Sequence, residues 1–359
     1  MSAQQLHLAV LPPGAPGPAD PTRPADPGGP SGLDGLAGVA RTAERGGFDF
    51  LLLPETAPPG PEVLTALGAL SAATTRLGLA AGLDPAVHQP YELARRLASL
   101  DHLSGGRAAW SLTAGPDGGA GGRLRHGGPP PEAERPAHAT EFLRAARALW
   151  DSWAEDDVPA DQAGGVFVRP GAGAFTHHGA HFDLSGRFTT PRAPQGHPVI
   201  VRTVASPRDL AAAAADADVV VVPHTALAEA RALRADLAER LAAHGRAPGE
   251  LRVLVSLVPV LGDTPEQARE RAAARVPAAH VVGTARQVAD ALAGYVRGGG
   301  SDGFLLTPHP AAGALDAFVD HVVPLLRAEG LYRAEYTGTT LRDHLGLDRA
   351  RRASRETAA

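Results

Sequence analysis

Short apolar runs of strand length recur along this chain, and a stretch of helix-forming residues follows each one. The runs span residues 6–11, 48–53, 77–83, 107–113, 199–203, 219–222, 251–261 and 304–307. A strand with one wet face alternates apolar and polar residues. These runs are nearly continuous in apolar residues, so both faces need cover. Strand–helix–strand crossovers in a parallel sheet supply that cover. Eight such units make one (β/α)₈ barrel, a TIM barrel, whose core takes about 250 residues. The remaining length falls into loop insertions and a C-terminal extension. Residues 1–347 are assigned to a single barrel. Residues 348–359, with Arg349, Arg351, Arg352 and Arg355, are assigned to a frayed, mostly basic tail. An open doubly wound sheet is the alternative, and it ranks lower because no G-x-G-x-x-G follows the first run.

Helices are expected at residues 33–46, 61–74, 90–103, 138–153, 207–215, 226–244, 265–275, 285–296 and 313–329. Residues 12–30 and 115–136 are rich in Pro and Gly and read as loops. A hairpin is expected around residues 175–188.

Composition excludes several chemistries. There is no cysteine, hence no disulfide, thiolate catalysis or Cys-ligated zinc. No lysine occurs either, so all 34 basic residues are arginine, and a Schiff-base or P-loop lysine is excluded. Asparagine is also absent. The net charge of −5 gives no electrostatic reason to expect nucleic acid or an anionic membrane as partner. No apolar run approaches membrane-spanning length, and no basic segment leads into an apolar one at the N-terminus. The cytoplasm is the expected location.

Local motifs are mostly structural. His177, His178 and His181 form an H-H-x-x-H cluster, but Gly179 and the neighbouring Thr and Phe suggest a hairpin rather than a helix presenting ligands. No metal site is expected. Asp101-His102, ahead of Ser-Gly-Gly, reads as a helix end rather than an acid–base pair. The acidic run 155–157 reads as a solvated helix end. Ser206, ahead of Pro207, occupies an N-cap position. That is also a place where a barrel can bind phosphate, although Asp209 in the first turn would repel it.

Taken together, several stretches resemble the luciferase-like, flavin-dependent monooxygenases. They look closest to the branch with the nitrilotriacetate and dibenzothiophene-sulfone enzymes. The most specific are PYELARRLASLDHLSGGRAAW (90–110) and the C-terminal YRAEYTGTTLRDHLGL (332–347). Supporting stretches lie at 141–153, 177–201 and 281–306. The resemblance implies a (β/α)₈ barrel using reduced FMN from a separate flavin reductase, and O₂, on a small organic substrate. It also implies that barrels of this kind associate, so a homo-oligomer is among the expected partners. Ser111, Thr113 and Ser206 are the surviving hydroxyls that would lie near the flavin, with Arg202 and Arg208 as phosphate clamps.

Departures from the family pattern concentrate around that site. The family's polar third strand is replaced by Leu83-Asp84-Pro85-Ala86-Val87, and its Asn on the fourth strand by Ser111. Ala114-Gly115 stand where the family has Thr-Ser. The tyrosine of an R-Y pair is Pro136, and the two glycines of Q-A-G-x-S-x-x-G are Val204 and Asp209. The segment between residues 265 and 281 is short for this branch. FMN is therefore expected to bind weakly, if at all. No residue stands out as catalytic acid or base. The alternative is a diverged barrel with weak or no flavin binding, serving as a binding or accessory protein or as an enzyme with another ligand.

Overall fold

A computed structural model describes residues 5–13, 15, 32–55, 61–113, 130–204, 206–275, 281–309 and 313–352. Eight parallel strands close a barrel in sequence order. They are His7–Val10, Phe50–Pro54, Gly78–Leu83, Ala108–Leu112, Val199–Thr203, Val219–Pro223, Arg252–Leu257 and Gly303–Leu306. The eighth pairs with the first, Gly303 opposite His7. The expected barrel is thus the one observed.

Strand alternation divides the core in two. Inward residues such as Phe50, Ala80, Ala109, Val201, Leu254 and Leu305 fill the barrel. Outward residues such as Leu51, Trp110, Ile200 and Phe304 pack under the helices. Small Ala80 and Ala109 stand side by side in register next to Leu52, and larger Phe50 lies in the same interior cluster.

Sequence punctuation sets the element ends. Helix Pro90–Ser104 stops at left-handed Gly105. There Gly106 N–H reaches Asp101 O at 2.8 Å and Gly105 N–H reaches His102 O at 3.2 Å, a Schellman closure. Asp101 therefore belongs to a helix end, as read from sequence. Its buried carboxylate also accepts from Ala108 N, Gln195 N and Gln195 Nε2 at 3.1, 3.2 and 2.6 Å. The run at 251–261 divides after Leu257, and Pro259–Leu261 leaves the barrel to pair with Val281–Gly283. Pro259 has no N–H to continue the ladder. In the last long helix, Pro324 coincides with a π turn over Phe318–Val322, because the ring cannot tolerate the regular bond to the fourth residue before it.

The C-terminal extension stoppers the N-terminal end of the barrel. Leu341, Leu345 and Leu347 join the interior cluster, and Leu341 N–H bonds Gly106 O at 2.9 Å. A Cβ on Gly78 would lie 2.7 Å from the Asp49 carbonyl oxygen and from Leu341 Cδ1, so glycine is what the strand tolerates here with Leu341 seated against it. The chain is not frayed at residue 348. Ala350 N–H bonds Gln195 O at 3.1 Å, and Arg192 bonds Ala350 O at 2.7 Å. Arg352 Nε bonds Asp151 O at 2.8 Å, and Arg349 pairs with Glu155. The arginines of the tail find carbonyls and carboxylates on the barrel wall, so the expected fraying is corrected through Arg352. Residues 353–359, Arg355 included, lie outside the described residues.

Candidate active site at the barrel mouth

Above the apolar layers, the next inward position carries a hydroxyl on four of the eight strands, the fourth, fifth, seventh and eighth. Ser111 follows Ala109, Thr203 follows Val201, Ser256 follows Leu254 and Thr307 follows Leu305. Thr113 continues on the same side as Ser111, with its methyl 3.5 Å from where a Cβ on Gly82 would lie. This layer stands at the C-terminal end of the strands, where barrels of this type carry their chemistry. Ser111 is only 1% exposed, and its Oγ has no hydrogen-bond partner among the described residues. Burying a hydroxyl without a partner costs about 1–3 kcal/mol. An orphan of this kind at a barrel mouth calls for a ligand group opposite it.

Three histidines missed by sequence reading stand at the same end. His88 follows the third strand, His224 the sixth and His309 the eighth. His88 Nε2 lies 3.1 Å from Glu55 Oε1, and Asp84 N–H donates to Glu55 Oε2 at 3.3 Å. His224 stacks on Tyr295, with ring centroids 5.5 Å apart, and burial pushes its pKa down. The available signal was placement, a histidine shortly after a strand end. Residue type and spacing alone did not carry it.

The candidates on the phosphate side are separated by the structure. Arg202 follows Ile200 on the outer face of the fifth strand. Its Nε and Nη2 grip the two carboxylate oxygens of Asp216 at 2.5 and 2.6 Å. Alternation turns it away from the mouth, which corrects the expectation that it clamps a ligand phosphate. Ser206 caps helix Pro207–Asp216, as the sequence indicated. Its Oγ accepts from Asp209 N–H at 3.3 Å and donates to Asp209 Oδ2 at 2.7 Å. Arg208 is exposed in the first turn.

The three hairpin histidines do not converge. Strand Ala174–His178 pairs antiparallel with Asp183–Arg187. His177 turns inward toward Glu141, at 3.4 Å. His178 is exposed and meets Asp183 at 2.6 Å. The ring of His181 lies edge-on to His138 at 5.4 Å. A cleft of about 1320 Å³ lies beside this hairpin, outside the barrel wall, lined in part by Arg144, Arg147, Asp216 and Arg352.

Residues 17–281 match the family model of the luciferase-like monooxygenases. The chain belongs to that family. It is 30% identical to the dibenzothiophene-sulfone monooxygenase of Rhodococcus erythropolis, over 86% of this chain and 88% of that protein. It is 29% identical to nitrilotriacetate monooxygenase component A of Aminobacter aminovorans, over the same shares. Among solved structures, a riboflavin lyase with modified FMN and riboflavin superposes with a TM-score of 0.84 at 23% identity, over 96% of both chains. That likeness shows the fold.

As a luciferase-like monooxygenase the chain is an oxidoreductase, and its departures from the family pattern can now be placed. Val204 is 5% exposed and packed into the core. Pro136 opens helix Arg135–Asp151, where its missing N–H is harmless and its fixed φ suits the first turn. Ala114-Gly115 lie outside the described residues.

Proposed function

We propose that this chain is a reduced-FMN-dependent monooxygenase that acts with O₂ on a small organic substrate and receives its flavin from a separate reductase. The observation that carries the reading is the buried, unpartnered Ser111 Oγ in a layer of hydroxyls at the barrel mouth. The residues fit a flat heterocycle with hydrogen-bonding edges. Ser111, Thr113 and Thr203 would hold its ring, and Ser206 and Arg208 are the groups left near a phosphate. When bound, the reduced flavin supplies the electrons that activate O₂. The chain's own part is orientation, exclusion of water by the apolar layers beneath, and proton handling by His88. With its Nε2–H donated to Glu55, His88 offers Nδ1 as the acceptor.

The relatives support this reading. One is named as a component A and another acts on a sulfone, which agrees with a two-component enzyme and a small substrate. No helix among the described residues is long and apolar enough to cross a membrane. The self-capped helix at Ser206 favours the second reading, a barrel that no longer depends on flavin.

The deciding experiment combines the chain with an NADH:FMN reductase, FMN and ¹⁸O₂ and screens sulfones, aminopolycarboxylates and thioethers. Incorporation of ¹⁸O into a product, reduced in Ser111→Val, is the expected result. No labelled product, with flavin reoxidation unaffected by the protein, would leave the second reading.

A further inference from the structure

Among the described residues, the turn at Ser206, where the resemblance puts a flavin phosphate, spends its polar groups on itself. A helix N-terminus binds an anion through the free N–H groups of its first turn. Helix Pro207–Asp216 has almost none to offer. Pro207 carries no N–H. Asp209 N–H is taken by Ser206 Oγ. The Ser206 hydroxyl donates in turn to Asp209 Oδ2, which sets a carboxylate where an anion would sit. Of the first three helical residues, only Arg208 keeps a first-turn N–H for a ligand. Arg202, the nearest cation on the strand, points outward and is held at both ends of its fork by Asp216. Val204, where the family pattern has a glycine, turns its side chain into the core under the helices and offers a ligand nothing at the mouth. Among the described residues of this turn, what remains is the exposed guanidinium of Arg208, opposed by the Asp209 carboxylate one residue on and screened by solvent. The ring end is the reverse, a set of buried and half-buried hydroxyls with an unused hydrogen-bonding atom at Ser111.

We propose that this barrel selects its flavin by the ring system and not by the 5′-phosphate, so that riboflavin is held as well as FMN. The inference rests on the flavin reading above and adds the ligand class to it, a flavin with or without its phosphate.

The test titrates the purified protein, under anaerobic conditions, with reduced FMN and separately with reduced riboflavin, at low and high salt. The two dissociation constants are expected to agree within about threefold, and that for FMN to change little with salt. In Asp209→Ser, FMN is expected to tighten by about tenfold while riboflavin stays within about twofold. Asp209→Asn serves as a second variant that keeps the side-chain volume, and circular dichroism checks the fold of both. FMN binding to the unmodified protein ten or more times tighter than riboflavin overturns the proposal. Equal responses of the two flavins to loss of the Asp209 carboxylate overturn it as well. If neither flavin binds, the function reading itself fails, an outcome distinct from a preference for FMN.

Discussion

Glu55 and His88 meet across the mouth of the barrel, His88 Nε2 lying 3.1 Å from Glu55 Oε1. The carboxylate is itself fixed by Asp84 N–H at 3.3 Å, so the second and third strand ends jointly orient the imidazole. Helix Arg135–Asp151 packs across this turn, but two of its titratable groups are committed elsewhere. Glu141 takes the hairpin's N–H groups, and His138 packs on Phe182. With a substrate in hand, His88→Gln is expected to lower kcat by about a hundredfold, within the range for loss of a positioned acid–base group. Glu55→Gln is expected to lower it less, since it loosens the ring without removing it. Flavin titration should be unchanged in both. A parallel loss of flavin affinity would make His88 a ligand-holding residue instead.

At the opposite end of the barrel, Asp49 is fully buried and paired with Arg333, with His7 Nδ1 at 3.2 Å and Leu8 N–H at 2.9 Å. Removing one member of such a pair typically costs 3–5 kcal/mol, because the other charge stays buried. Arg333→Met should lower the urea midpoint accordingly. Burial alone would raise the Asp49 pKa, but Arg333 and His7 outweigh it and hold the carboxyl below its usual range. A depressed folded-state pKa gives stability that is present above the unfolded value and lost as pH falls through the folded one. The native protein should keep this contribution down to the acid side of the ordinary carboxylate range. In Arg333→Met, acid unfolding should begin at higher pH.

His344 makes the fold acid-sensitive in the same direction, by a different route. Burial is the main cause that pushes its pKa down, to about 4. The unfolded chain takes up this proton near pH 6.5, while the folded one resists it. Stability from this site is therefore full above about pH 6.5 and declines as pH falls toward 4. His344→Leu should flatten that part of the stability–pH curve, measured by urea unfolding at several pH values. An unchanged slope would show that another group is responsible.

The barrel was legible because its strands are nearly continuous apolar runs, and that pattern follows from burial on two faces. The site was less legible because its residues are single positions at or just past strand ends. Arg202 and Thr203 are adjacent in sequence, yet the register sends Thr203 to the mouth and Arg202 to the outer wall. A shift of one residue would exchange them. His88 gained meaning only when folding brought Glu55, 33 residues earlier in sequence, beside it. The stopper at Leu341–Leu345 escaped notice for another reason. It is one short turn inside a polar stretch, and its leucines acquire a common face only against the barrel floor.

The hairpin histidines give the last prediction. Residues 177 and 178 are neighbours on one strand, so their side chains leave on opposite faces. His177 lies against Glu141, whereas His178 is 72% exposed beside Asp183. His181, in the turn, contributes its backbone: its N–H and that of Phe182 donate to Glu141 at 3.1 and 2.8 Å. Gly179 lets the carboxylate come this close, since a Cβ there would collide with Glu141 Oε1. Three imidazoles so arranged share no centre at zinc-ligand distances of about 2.0–2.1 Å. Chelator treatment is therefore expected to leave the thermal midpoint unchanged, and zinc titration to show no stoichiometric site. Glu141, rather than a metal, holds the hairpin to its helix. Glu141→Ala strips one buried and one half-buried N–H of their acceptor and should cost about 1–3 kcal/mol. The loss should appear as faster proteolytic cleavage within residues 174–187. Cleavage at the native rate in Glu141→Ala, or a midpoint that falls with chelator, would reverse the assignment.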